Sequence, residues 1–255
     1  MAWIRPCKVM ETEPISIRTD QLHKTFDGFV AVESLSVEIR RGEIFGFLGP
    51  NGAGKTTAIR MITGLLKPDR GEVYINGNPV NNLDTRQLVG ICPQELVLWN
   101  NLTCMEQLVF MAAMYNVRGK IARLRAADLL ERPGLTEKRN NLVKTLSGGM
   151  QRRMNILMAL MHDPEILILD EPEAGLDPQS RVLVRDFIAS MALSKTVLFT
   201  THNMDEADRI CHRVGIIDQG RMLVTDTPEN LKQSIGKSAT LEDVFIALTG
   251  RKLRD

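Results

Sequence analysis

The chain has 255 residues, of which 44% are hydrophobic and 25% charged, with a formal net charge of +1. That suits one globular α/β domain, with or without an inserted subdomain, and the near-neutral balance gives no electrostatic footprint of a general nucleic-acid binder. The four cysteines, Cys7, Cys92, Cys104 and Cys211, lie far apart without a CxxC pair, which excludes a zinc or dithiol motif and predicts buried thiols in a reduced compartment.

Along the chain, residues 1–13 contain Trp3 and Ile4 but no long apolar segment, so they read as a loose extension rather than a secretory signal. Ile15-Ser16-Ile17, Leu35 to Ile39, and Val73-Tyr74-Ile75 before Asn76-Gly77 alternate apolar and polar residues, which predicts half-buried antiparallel strands. Ile44 to Leu48, Ile166 to Leu169 and Val197-Leu198-Phe199 are continuously apolar, as strands of a parallel sheet buried on both faces are. From about 95 to 160 the pattern is helical. Thr103 with Glu106 forms a capping box, and a helix over 121–131 stops at Pro133-Gly134. Thr227-Pro228 opens a short helix, and Thr240 with Asp243 caps another. The most apolar helix-like run, 154–161, falls far short of the roughly 18 residues of a membrane span. Met150, Met154, Met158 and Met161 recur at helical spacing and read as a packing face, and Arg251, Lys252 and Arg254 as a solvated basic tip.

Gly49-Pro50-Asn51-Gly52-Ala53-Gly54-Lys55-Thr56-Thr57 matches the phosphate-loop pattern GxxxxGK[ST]. Glycines let main-chain N–H groups wrap an anion without Cβ clashes, and the following helix points its positive end at the same place. Lys55 is expected at the β- and γ-phosphates of ATP and Thr56 on magnesium. An apolar strand precedes the loop, and helical periodicity follows from Thr57 to Leu66. The second apolar strand ends in Asp170-Glu171-Pro172, where open α/β sheets place their ligand chemistry. Asp170 is placed to hold Mg2+ and Glu171 to polarise an attacking water.

Leu146-Ser147-Gly148-Gly149-Met150-Gln151 resembles the LSGGQ signature of the ABC ATPase superfamily, with Met150 before Gln151. Such a segment exposes the free N–H groups of the next helix as a second anion site. The resemblance implies a P-loop NTPase (RecA-like) α/β core with an antiparallel β subdomain and an inserted α-helical subdomain. It implies residues 14–225 as the ATPase domain, with the insertion at about 95–160, and 226–255 as a helical tail. It also implies a homodimer in which Ser147, Gly148 and Gly149 of one subunit bind ATP held by the other. In this family Gln94 looks like the Q-loop glutamine, contacting magnesium. Asp177, in Ala174-Gly175-Leu176-Asp177, looks like the D-loop residue acting across the dimer. His202 looks like the switch histidine at the γ-phosphate, and Phe26 stands where an adenine-stacking aromatic occurs, with Phe29 nearby.

The implied function is ATP hydrolysis beneath a separate transmembrane permease, from the cytoplasmic face of the membrane. The ending Leu241-Glu242-Asp243-Val244-Phe245 with Leu248-Thr249-Gly250 resembles drug- and polyketide-exporter-type members. The alternative is a soluble member acting on ribosomes or nucleic acid. Such proteins join two domains or insert coiled coils, whereas this chain has one motif set and no sustained heptad run. After Gln94, the run Glu95-Leu96-Val97-Leu98-Trp99 falls where the family docks a permease helix, so Trp99 reads either as a lining of that groove or as a core tryptophan. Two positions depart from the family, Glu173 where Thr is usual and Ala174 where Ser is common. A carboxylate at 173 is expected to weaken nucleotide binding or to raise the pKa of Glu171 by like-charge repulsion.

Overall fold

The computed structural model describes residues 14–192, 194–236 and 238–250. The amino-terminal extension, with Cys7, and the basic residues after 250 lie outside them. In chain order the elements are β1 (Ile15–Phe26), β2 (Phe29–Arg40), β3 (Ile44–Leu48), α1 (Lys55–Ile62), β4 (Arg70–Ile75), β5 (Asn78–Pro79), α2 (Leu83–Gln87), β6 (Val89–Cys92), α3 (Cys104–Met114) and α4 (Gly119–Glu131). After two short 3-10 turns come α5 (Gly148–Leu160), β7 (Ile166–Leu169), α6 (Pro178–Met191), β8 (Thr196–Thr201), α7 (Met204–Ile210), β9 (Arg213–Asp218), β10 (Arg221–Asp226), α8 (Pro228–Ile235) and α9 (Leu241–Thr249).

The alternating segments pair antiparallel in a sheet of order β2-β1-β4-β5. Its first hairpin closes through Asp27-Gly28, both at positive φ, the two-residue turn whose twist matches that of the flanking strands. The continuously apolar segments β3, β7 and β8 lie parallel in the second sheet, of order β10-β9-β3-β8-β7-β6, with β10 antiparallel at its edge. Period-two alternation sorts these strands onto two cores. Phe45, Phe47, Ile166, Ile168 and Leu198 pack with α1 and the inner face of β1, β2 and β4. Ile44, Leu167, Leu169, Val197 and Phe199 pack on the opposite side with residues of α3 to α6. Met154, Met158 and Met161 are buried there, so the methionine spacing is a packing face.

The predicted caps are present. Thr103 and Glu106 close a capping box on α3, and Thr240 and Asp243 do the same on α9. Each box satisfies two otherwise unpaired N–H groups, which fixes where the helix starts. A third cluster joins Leu241, Val244 and Phe245 of α9 to Val214 and Ile216 of β9 and to Leu48, the last residue of β3. Cys92 and Cys104 are buried, and burial raises both thiols, Cys92 to about 11.

Candidate nucleotide site

Three parallel strands deliver the candidate residues to one edge of the sheet. The phosphate loop follows β3, Asp170-Glu171 follows β7, and His202 follows β8. Two loop glycines are required sterically. A Cβ on Gly49 would lie 2.1 Å from the Ile217 carbonyl oxygen, and one on Gly54 2.3 Å from that of Ala31. Gly54, at φ 99°, starts α1 without a side-chain cap, so the first-turn N–H groups remain open toward the loop. Lys55 is buried and donates from Nζ to the carbonyls of Gly49 (2.7 Å) and Pro50 (3.1 Å). The turn Gln219-Gly220 between β9 and β10 braces the loop from behind: Gly220 N–H donates to Ala53, and Glu33 N–H donates to Gly220.

The carboxylates are positioned as tightly. Thr200 Oγ1 donates to Asp170 Oδ1 at 2.6 Å and accepts the Glu171 N–H at 2.9 Å. Glu171 has φ 46°, a left-handed conformation that costs a non-glycine residue on the order of 1 kcal/mol and persists only when its surroundings hold it. Its buried side chain bridges two candidates. Oε2 lies 2.8 Å from His202 Nδ1, and Oε1 lies 3.1 Å from Lys55 Nζ as an ion pair without hydrogen-bond alignment. Loop, lysine, carboxylate and histidine therefore form one constellation in a single chain.

A cavity of about 500 Å3 opens on it, lined by Phe26, Phe29, the loop from Pro50 to Thr57, Gln94 and Glu171. Phe26 and Phe29 flank the Asp27-Gly28 turn and are both exposed, so two aromatic faces are available where one was singled out. Ser147, Gly148, Gly149 and Asp177 do not line this cavity. Ser147 N-caps α5, and Asp177 N-caps α6 by accepting from Ser180, whose hydrogen bonds hold its carboxyl below the usual range. The paired glycines differ in their surroundings. A Cβ on Gly148 would meet nothing within 4 Å, whereas one on Gly149 would lie 2.3 Å from Ser180 Oγ. Gly149 is thus demanded by the approach of α5 to α6, and Gly148 is the open one.

Glu173 is 8% exposed, and among the described residues neither of its carboxylate oxygens has a hydrogen-bond partner. Burial first, then the charge of Glu206, raises its pKa to about 7; Arg185 and Arg181 oppose this and Glu171 adds to it. Residue 173, singled out in the sequence, thus carries a perturbed carboxylate. A folded-state pKa above the usual 4.5 means that ionisation opposes folding, so this contribution to stability is lost as pH rises from about 4.5 through 7. The displacement corresponds to on the order of 3 kcal/mol once ionisation is complete. Raising pH from 5.5 to 8 should therefore cost the parent several degrees of melting temperature more than it costs Glu173→Gln. Parallel melting curves for the two chains across that range would refute the buried-carboxylate account.

Two residues at the site are not among those singled out in the sequence. Thr200 carries hydrogen bonds to both neighbouring acids, and its only sequence signal is a hydroxyl one strand away from them. Arg152 donates to main-chain carbonyls around Gln94 and Glu171, and its signal is a pair of adjacent arginines, Arg152 and Arg153, both buried where the helix turns apolar.

The family described as ABC transporter matches residues 32–174. The linearmycin resistance ATP-binding protein LnrL of Bacillus subtilis is 40% identical over 229 residues, 89% of this chain and 74% of that protein. The Nod factor export ATP-binding protein I of Burkholderia pseudomallei is 41% identical over 225 residues, 87% of this chain and 73% of that protein. A dimeric ATP-binding cassette in a post-hydrolysis state, bound to ADP and Pi, superposes with a TM-score of 0.74 at 26% identity, covering 83% of this chain and 98% of that one. The loop, the paired acids and the histidine that meet at the sheet edge thus sit within a matched sequence and a shared fold, and the chain belongs to the ABC transporter family as an ATP-binding, ATP-hydrolysing subunit.

Proposed function

We propose that the chain binds ATP with magnesium in this cavity, pairs with a second copy around the nucleotide, and drives a separate membrane permease in the export direction. One observation carries the reading. The chain presents two anion cradles, the Lys55 loop inside the cavity and the open α5 terminus at Ser147-Gly148 outside it. A γ-phosphate can meet both only if the second comes from another copy, and the relative bound to ADP and Pi is a dimer.

In this arrangement Gly49, Asn51, Gly52, Ala53, Gly54 and Thr57 wrap the phosphates, Lys55 neutralises them, and Phe26 stacks on the base. Thr56, Asp170 and Gln94 offer a hydroxyl, a carboxylate and an amide oxygen. These hard donors suit Mg2+, which one or two carboxylates hold together with phosphates. Among the described residues no group of three or more His, Cys, Asp or Glu could hold a metal alone, in keeping with a site that phosphate completes. Bound magnesium would supply neutralisation of the phosphate charge. Glu171 would orient water for in-line attack, His202 would face the γ-phosphate, and Ser147, Gly148, Gly149 and Asp177 of the partner copy would close the site.

Export is supported by the relatives, one named for resistance and one for Nod factor export. No described helix is long and apolar enough to cross a membrane. A place at the cytoplasmic surface beneath a permease is supported by the relatives, which are named as ATP-binding proteins of export and resistance. Docking is supported by Leu96, Val97, Trp99 and Phe110, all exposed, with Trp99 and Phe110 in edge contact at 5.0 Å. Trp99 is 40% exposed, which favours the groove over the core. Buried Gln107 bonds both the N–H and the carbonyl of Trp99, so the segment is held in place before any partner arrives. Trp99→Ala should sharply reduce co-purification of a membrane protein from detergent extracts while leaving the melting temperature nearly unchanged. Undiminished co-purification, or ATPase activity that depends on added RNA or DNA, would sink the permease reading.

A further inference from the structure

Arg152 lies in the second turn of α5, just before the apolar run 154–161, and is 3% exposed. An arginine carries five N–H donors in one rigid plane, and here all five are engaged by main-chain carbonyls. Nε donates to Pro172 (2.8 Å), Nη1 to Pro93 (2.9 Å) and Gln94 (2.8 Å), and Nη2 to Asp170 (2.9 Å) and Glu171 (2.6 Å). Among the described residues no carboxylate stands within ion-pair distance of it, so its bonding is spent wholly on backbone geometry. Three of the five carbonyls belong to consecutive residues, and the middle one is Glu171, the residue held at φ 46°. The other two belong to the loop that brings Gln94 to the cavity.

We propose that Arg152 is a positioning residue for hydrolysis. It holds the left-handed turn that aims the Glu171 carboxylate, and it fixes that turn to the main chain at Gln94 so that the two move as one piece. A planar guanidinium cannot shift one edge without shifting the other, so the Gln94 loop and the Glu171 turn share a rigid spacer. Such a role affects the chemical step far more than nucleotide affinity, because misplacing a reacting group by about 1 Å costs on the order of a hundredfold in rate. The proposal rests on the reading of Glu171 as the residue that orients water.

The test uses full-length protein carrying Arg152→Lys or Arg152→Gln, each with and without Glu171→Gln. Turnover at saturating ATP, affinity for a fluorescent ATP analogue and the melting temperature are measured for every chain. Lysine has at most three donors and no plane, so Arg152→Lys should lower kcat by roughly tenfold and Arg152→Gln by more, with nucleotide affinity within about threefold of the parent. In the Glu171→Gln background neither change should lower the residual rate further, because the group that Arg152 positions is already gone. A kcat loss of equal size in both backgrounds would overturn the proposal. So would parallel losses of affinity, melting temperature and kcat, or failure of both variants to fold, since each makes Arg152 a general element of the fold. Full turnover in the Arg152 variants with a slow Glu171→Gln chain would overturn this proposal alone. Full turnover in Glu171→Gln itself would overturn the reading of Glu171 and the proposal with it.

Discussion

Glu171→Gln should turn over ATP at least a hundredfold more slowly than the parent and yet form a stable dimer with ATP. General-base positioning contributes roughly a hundredfold to ten-thousandfold to such a step. The amide keeps the shape of the side chain, so the turn held by Thr200 and Arg152 is retained while the carboxylate is lost. Asp170 keeps its own bond to Thr200, and Lys55 keeps its bonds to Gly49 and Pro50, so binding of ATP should survive. ATP then persists and can face both anion cradles, which stabilises the closed pair by mass action. ADP lacks the shared phosphate and should not produce the dimer. Nor should ATP when Ser147→Arg is added, because the new side chain fills the open terminus of α5. Light scattering with each nucleotide distinguishes these cases. A Glu171→Gln chain that stays monomeric with ATP as concentration is raised would count against the shared site.

Lys55→Ala should be as slow for a different reason. Removing the buried cation is expected to cost about 3 kcal/mol or more of transition-state stabilisation, at least a hundredfold in rate. It should also weaken ATP binding, which Glu171→Gln should not, so the two variants separate on affinity. The Lys55 ammonium faces the Glu171 carboxylate at 3.1 Å with both side chains buried. Truncating one partner leaves the other charge uncompensated, so a lower melting temperature is expected as well. Glu171→Gln on the Lys55→Ala background should recover part of that temperature but none of the activity. Near-normal turnover of Lys55→Ala would refute the assignment of the phosphate site.

The features legible in the sequence are those written in consecutive residues. Period-two alternation named β1, β2 and β4, continuous apolar runs named β3, β7 and β8, and the boxes at Thr103 and Thr240 placed the starts of α3 and α9. The β9–β10 hairpin went unread, although Gln219-Gly220 has the same positive-φ pair as Asp27-Gly28. The site was legible as a set of motifs but not as an arrangement. That Gly149 is needed for Ser180, that Glu173 is buried without a hydrogen-bond partner among the described residues, and that Thr200 joins two acids all depend on approaches between distant segments. Trp99 shows the same limit. Its composition allowed a core or a surface place; it is exposed, with its main chain held by Gln107 of α3.

The contact between α9 and Leu48 bears on how the protein can be handled. Phe245, Leu241 and Val244 cover the end of β3 one residue before the loop begins. A chain shortened before Thr240 would keep every sequence motif of the site. It would also bare Leu48, Val214 and Ile216 as a greasy face behind it, prone to self-association during expression. Boundaries for crystallisation or labelling are therefore better drawn beyond Gly250, where the left-handed cap closes α9.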